Sequence, residues 1–468
     1  MTERVREWVV GGIVAALVLG GLALELLAEP EPSSPPPVEE VAFVDRADFC
    51  PPTVGEEGYT QSLVVSGGER ETAVALEPQR PEPTEVAARR IAPVSLDEAG
   101  GQAVVGYGAP AYAGAVMRST ETRRAGAGAA ACSGAASERW YFAAGTSAIG
   151  YDERILLHNP FPDEAVVRVS LLTAVGEPLN KAGLDDVAVP AEEYTEVDIN
   201  DFITPRAQFG AEVTAIRGRV VAWKAVIGAA RESPHGFELT VGAPEPALRW
   251  YFPHGVIGGG VEETIALLNP NDRELTVTVS LASEREAAQP ATLIDLPLPP
   301  RSSHLVSLAE SAPKSIAGRR LGVSVTVSST NGLPLVAERR LSGSGQDVEG
   351  IASELGATSG ADAWLLTPAA VGGEDDLVSL MNPSDRDASA SLRLVFADKA
   401  ALSPPPLQRV EVGAGLRTEI SLERWRSAGL AGVLVTSDAP LVAERSAYSP
   451  AAGDMADVMG TPLSPKGP

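Results

Sequence analysis

This sequence predicts an all-β protein: tandem immunoglobulin-like β-sandwich modules following one N-terminal transmembrane helix. Three observations lead there. Apolar and polar residues alternate with a period of two along many short segments, a Trp-headed block recurs about every 110 residues, and one uncharged run lies near the N-terminus. The first is the signature of half-buried strands, the second of a repeat array, the third of a membrane anchor.

The anchor comes first in the chain. Trp8 to Ala28 carries a single charge, Glu25. As a helix rising about 1.5 Å per residue it measures about 31 Å, one bilayer crossing. Arg4 and Arg6 precede it and Glu29 and Glu31 follow, so positive-inside bias puts residues 1–7 in the cytoplasm and the bulk outside. A cleaved signal peptide ending at Leu26-Leu27-Ala28 is the competing reading, and it leaves the bulk outside as well. Residues 29–40 contain EPEPSSPPP, a stiff polyproline II spacer.

The repeats follow. Arg139-Trp140-Tyr141-Phe142 recurs as Arg249-Trp250-Tyr251-Phe252 and more weakly as Ala363-Trp364-Leu365-Leu366, at spacings of 110 and 114 residues. Each copy then carries a strand ending in Asn-Pro, at Asn159, Asn269 and Asn382. In the copy beginning at Trp250, seven segments read as strands, among them Leu275–Leu281 and Gly322–Ser328. Asn331-Gly332 signals a hairpin between Gly322–Ser328 and Leu335–Arg339. Seven short strands in about 110 residues suit an immunoglobulin-like sandwich. The expected modules are 41–138 (a shortened copy), 139–247, 248–362 and 363–462, with a tail at 463–468. Placed end to end, they would form a rod on the order of 100 Å long.

With its N-terminal anchor, Trp-Tyr-Phe opening, Asn-Pro strand end and Val-Ala-Glu-Arg closing strand (Val336–Arg339, Val442–Arg445), the chain resembles the actinobacterial family catalogued as domain of unknown function 5719. The resemblance implies a cell-envelope location and carries over no activity and no site residues.

A formal charge of −25 repels nucleic acid and anionic lipid, which excludes a nucleic-acid partner. The two cysteines, Cys50 and Cys132, bracket the first module in a compartment where disulfides persist, and are expected to be joined. The acidic turns after each Asn-Pro (Asp163-Glu164, Asp272 with Glu274, Asp385 with Asp387) lack the spaced ladder of a calcium loop, and the asparagines are better employed bonding local backbone. Gly106 to Ala111 mimics a dinucleotide fingerprint, but Pro110 and the strand after it make a turn there. His158, His235, His254 and His304 fall in no catalytic pattern, and no metal or cofactor is expected.

The candidate ligand contacts are Trp223 and Trp425, which stand outside the repeated tryptophan pattern, and one basic position found in all four copies: Arg118, Lys224, Arg339 and Arg445. Exposed tryptophans would stack on sugars and a basic track would grip an anionic polymer. Core packing and pairing with carboxylates of the same or next module are the simpler roles. The expected function is a non-enzymatic, membrane-anchored extracytoplasmic scaffold or interaction protein of the cell envelope, with an envelope protein or polysaccharide as partner. Polysaccharide or cell-wall binding and a hydrolase with an unrecognised carboxylate pair are the alternatives.

Overall fold

The computed structural model describes residues 44–463 apart from 55–58, 67–71, 78–79, 87–90, 97–101, 108–111, 120–125, 177, 180, 229–233, 312–320, 345–347, 369–374, 397–398, 427–428 and 450–453. The expected anchor and spacer, and the tail after Leu463, lie outside the described residues. Among those described, no helix is long and apolar enough to cross a membrane.

Alternation becomes strand as the period requires. Leu275–Ala282 buries Leu275, Val277, Val279 and Leu281 and leaves Thr276, Thr278 and Ser280 half-buried. Every repeat uses two antiparallel sheets. In the third, Ser302–Ser307, Val261–Asn269, Val336–Ser344 and Glu349–Leu355 form one sheet in that order. Arg249–Phe252, Ser324–Ser329, Leu275–Ala282 and Ala287–Ala288 form the other. The first repeat, expected to be shortened, also builds two four-stranded sheets, so its brevity lies in its connections and not in missing strands.

The Asn331-Gly332 turn corrects the hairpin expectation. Ser324–Ser329 and Val336–Ser344 belong to different sheets, so the turn is an arch over the sandwich edge, with Gly332 at φ +77°. In the fourth repeat the same passage is one strand, Leu430–Ser449, whose halves pair in the two sheets.

Each repeat tryptophan fastens its two sheets together. The indole N–H groups of Trp140, Trp250 and Trp364 donate to the carbonyls of Val220, Leu335 and Leu441 at 2.7, 2.8 and 2.8 Å, just ahead of each repeat's closing strand. The asparagines act locally, as expected. Asn159, Asn269 and Asn382 are fully buried, and their amides donate to the backbone of the following turn, at Asp163, Arg273 and Arg386. Cys50 and Cys132 are joined, 82 residues apart. They tie the first strand of repeat one to the segment where Phe49 and Ser133 exchange backbone hydrogen bonds at 2.8 Å.

The rod is overturned. One strand per repeat, at the inner edge of its sheet, packs around a common axis. Ala127–Ala131 lies against Gly236–Val241, that strand against Glu349–Leu355, that one against Asp454–Met459, and the last returns to Ala127–Ala131. The four sheets radiate from this hub like propeller blades. Small side chains permit the approach: a Cβ on Gly128 would come within 2.9 Å of the Phe237 ring. Closure between repeats four and one is equally tight, with Gly114 against Thr367 and Tyr112 packed on Leu365 and Leu434. The cores overlap the junctions, so that Tyr141 of repeat two packs in the core of repeat three and Tyr251 of repeat three in that of repeat four.

Candidate functional site

The recurrent cations do not form an exposed track. Lys224 is fully buried, and its ammonium donates to Glu338 of the next repeat at 2.6 Å. Arg339 is fully buried as well. It pairs with Glu444 of the next repeat, and with Asp457 at 2.8 Å. Arg445 has no such glutamate ahead of it, because the corresponding position in repeat one is Met117. It turns instead to Asp376 of its own repeat at 2.7 and 2.9 Å. The glutamates explain the pattern: Glu338 and Glu444 each precede the cation of their own strand and serve the cation of the previous repeat. Of Arg118 only the backbone is described; it pairs with Thr60.

The expectation for Trp223 is corrected in the same way. Trp223 is fully buried in the core of repeat two, so its ring has no face to offer a sugar. Trp425 lies half-buried on the core of repeat four, with the Arg424 guanidinium 6.0 Å over its ring.

The densest polar cluster is at the junction of repeats three and four. The His254 backbone N–H donates to Glu444 at 2.9 Å and its carbonyl accepts from Arg339. The His254 ring bonds Ser379 at 3.2 Å and the Tyr448 hydroxyl. Arg417, also buried, donates to the Gly255 and Val323 carbonyls of repeat three and to Ser379. Burial pulls the Arg339 guanidinium down, and Glu444 and Asp457 more than offset it, so the group is held well above its ordinary pKa. Glu354 is pushed far up, first by burial and then by the field of Glu444. Sequence spacing hides this group, because its members come from six separate strands and a turn.

Two buried glutamates occupy one register: Glu153 opposite Val226 and Glu263 opposite Leu341. Burial, opposed by Lys224 and Arg339 respectively, raises each to about 8. Such a group favours the fold fully below the unfolded pKa near 4.5, and that contribution is lost as pH rises through about 8. The melting temperature should therefore fall between pH 5 and 8, and Glu153→Gln with Glu263→Gln should flatten the fall. An unaltered slope in thermal scans would mean the two groups are already ionised in the fold.

Open space is found on repeat three. A largely apolar groove of about 560 Å³ follows the hairpin Leu281–Ala288, and a more polar hollow of about 250 Å³ lies beyond it, against repeat four. Among the described residues no cluster of His, Cys, Asp and Glu is arranged to hold a metal ion.

The model of a family of unknown function, DUF5719, matches residues 86–253 and 239–465, most of the chain. The chain belongs to that family. The second match spans the third and fourth repeats of the ring and the first spans repeat two with the end of repeat one. No curated protein matches. Among solved structures, one titled "Crystal Structure of Thermotoga maritima 1070" is similar at 17% identity, covering 24% of this chain and 95% of that one, with a TM-score of 0.20. Overlap that slight supports no argument about this chain.

Proposed function

We propose that this family member is a non-enzymatic, membrane-tethered scaffold of the cell envelope, its repeats a variant of the immunoglobulin-like sandwich in which the first and last strands lie in opposite sheets. The observation that carries the reading is the ring itself. Repeats two, three and four are locked in series by fully buried ion pairs, Lys224–Glu338 and Arg339–Glu444, and close packing of the hub strands joins repeat one to both ends. A rigid body on a proline-rich stalk suits presentation of surface to partners. The disulfide between Cys50 and Cys132 supports an oxidising compartment.

Fractionation of cells making the full chain tests this. The protein should sediment with membranes, resist alkaline extraction, and react with a membrane-impermeant maleimide only after reduction. Crosslinking in intact cells should then recover the same envelope partners from independent preparations. A soluble cytoplasmic chain with free thiols would sink the proposal.

A further inference from the structure

The pseudo-symmetry of the ring sets the junction of repeats three and four apart from that of repeats two and three. Across repeat two, Ser170, Glu212 and Tyr141 stand side by side on three strands. Across repeat three, the same row is Ser280, Thr326 and Tyr251. The facing residue comes from the turn just before Ser302–Ser307 or Arg417–Ser421 in the next repeat, where it is bonded to the turn after Asn-Pro. It is Arg301 for repeat two, whose N–H donates to the Asn271 carbonyl, and Gly415 for repeat three, whose N–H donates to the Ser384 carbonyl. Both adopt the left-handed backbone, at φ 53° and 69°, so the positions correspond in conformation as well as in order.

At the junction of repeats two and three this row is occupied. Glu212 and Arg301 form an ion pair at 2.5 Å, and the Arg139–Tyr141 hydrogen bond lies beside them. At the junction of repeats four and one the row reads Arg393, Leu434 and Leu365, and its two leucines are covered by Tyr112. Between repeats three and four both halves of the ion pair are missing, since Thr326 replaces the glutamate and Gly415 the arginine. A Cβ on Gly415 would meet nothing within 4 Å. What remains is the hollow of about 250 Å³, lined by Arg249, Tyr251, Ser280, Thr326 and Gln289 over a floor that includes Met381.

The chemistry of the vacancy defines its occupant. Arg249 is exposed, reaches the Tyr251 hydroxyl at 3.4 Å, and has no carboxylate partner among the described residues, in a chain with 25 excess negative charges. The carboxylate that its counterpart Arg139 has nearby, Glu212, is the group this junction lacks. The hydroxyls of Ser280 and Thr326 and the Gln289 amide, which donates to Ser280 at 3.0 Å, offer donors and acceptors to a hydroxylated body, and Tyr251 and Met381 offer it apolar surface. The volume lies below the range of drug-sized ligand pockets, about 300–1,000 Å³. We propose that this hollow binds a single carboxylate-bearing sugar unit, its carboxylate on Arg249 and its ring in the space that Arg301 fills one junction earlier. The site does not depend on the scaffold reading and would hold if the chain had another role.

The test uses the full chain in detergent, with D-glucuronate, D-glucose and acetate as probes, followed by titration calorimetry or saturation-transfer NMR. Glucuronate should bind at millimolar or better affinity, with glucose and acetate each at least tenfold weaker. Thr326→Glu with Gly415→Arg rebuilds the neighbouring ion pair and should abolish binding while leaving the melting temperature unchanged or raised. Arg249→Gln, at an exposed position, should weaken glucuronate at least tenfold and bring it level with glucose. No glucuronate binding, equal binding of glucose or acetate, or binding that survives the rebuilt ion pair would each overturn the proposal. If the rebuilt pair fails to fold, Arg249→Gln decides alone.

Discussion

Arg339→Met should lower the free energy of unfolding by about 3–5 kcal/mol, the range for removing one partner of a buried ion pair. The cost arises less from lost attraction than from what stays behind. Glu444 and Asp457 would remain buried without their shared cation, beside Glu263 and Glu354, in a cluster with few other positive groups. Arg339 also donates to the His254 carbonyl, so the turn that carries repeat three onto repeat four would lose one of its ties. Urea denaturation followed by tryptophan fluorescence measures the effect, since Trp140, Trp223, Trp250 and Trp364 are all buried. Adding Glu444→Leu should restore part of the loss by removing one stranded carboxylate. A single variant as stable as the parent would show that the ring does not rely on this junction.

Replacing both Cys50 and Cys132 by serine should cost up to about 4.5 kcal/mol, the chain-entropy figure for an 82-residue loop. The consequence reaches past repeat one. Its hub strand, Ala127–Ala131, sits between Gly236–Val241 and Asp454–Met459, so loosening it opens the ring on both sides. Hydrogen exchange should quicken in all three strands, and less in Glu349–Leu355, across the hub. Exchange confined to repeat one, or an unchanged unfolding midpoint, would contradict a closed ring.

Much of this fold was legible in the residues. Alternation such as Leu275, Val277, Val279 against Thr276, Thr278, Ser280 is a local signal, and the strand follows from it. The recurrence of Trp and Asn-Pro located the repeats, because each residue serves a bond inside its own unit. The hub strands escaped notice. Glu349–Leu355 is buried at Gly350, Ile351, Ala352, Ser353 and Glu354 in succession, so it shows no alternation, and its small residues look like a loop. The recurrent cations were visible, but their partners were not, since Lys224 meets Glu338 across 114 residues and nothing local marks the pairing. The tryptophans misled for a related reason: standing outside a pattern does not imply standing in solvent.

By itself the sequence determined what nearest-neighbour sterics and burial can encode: strands, the recurrence of the repeats, and a disulfide between the two thiols. Only the tertiary structure decided that four units close on themselves, that Lys224, Arg339 and Arg445 are buried, and that the junction of repeats three and four lacks the ion pair that fills the one before it. Closure depends on angles summed over four interfaces, and vacancy on two absent side chains more than 80 residues apart. Neither quantity is carried by any one segment of chain.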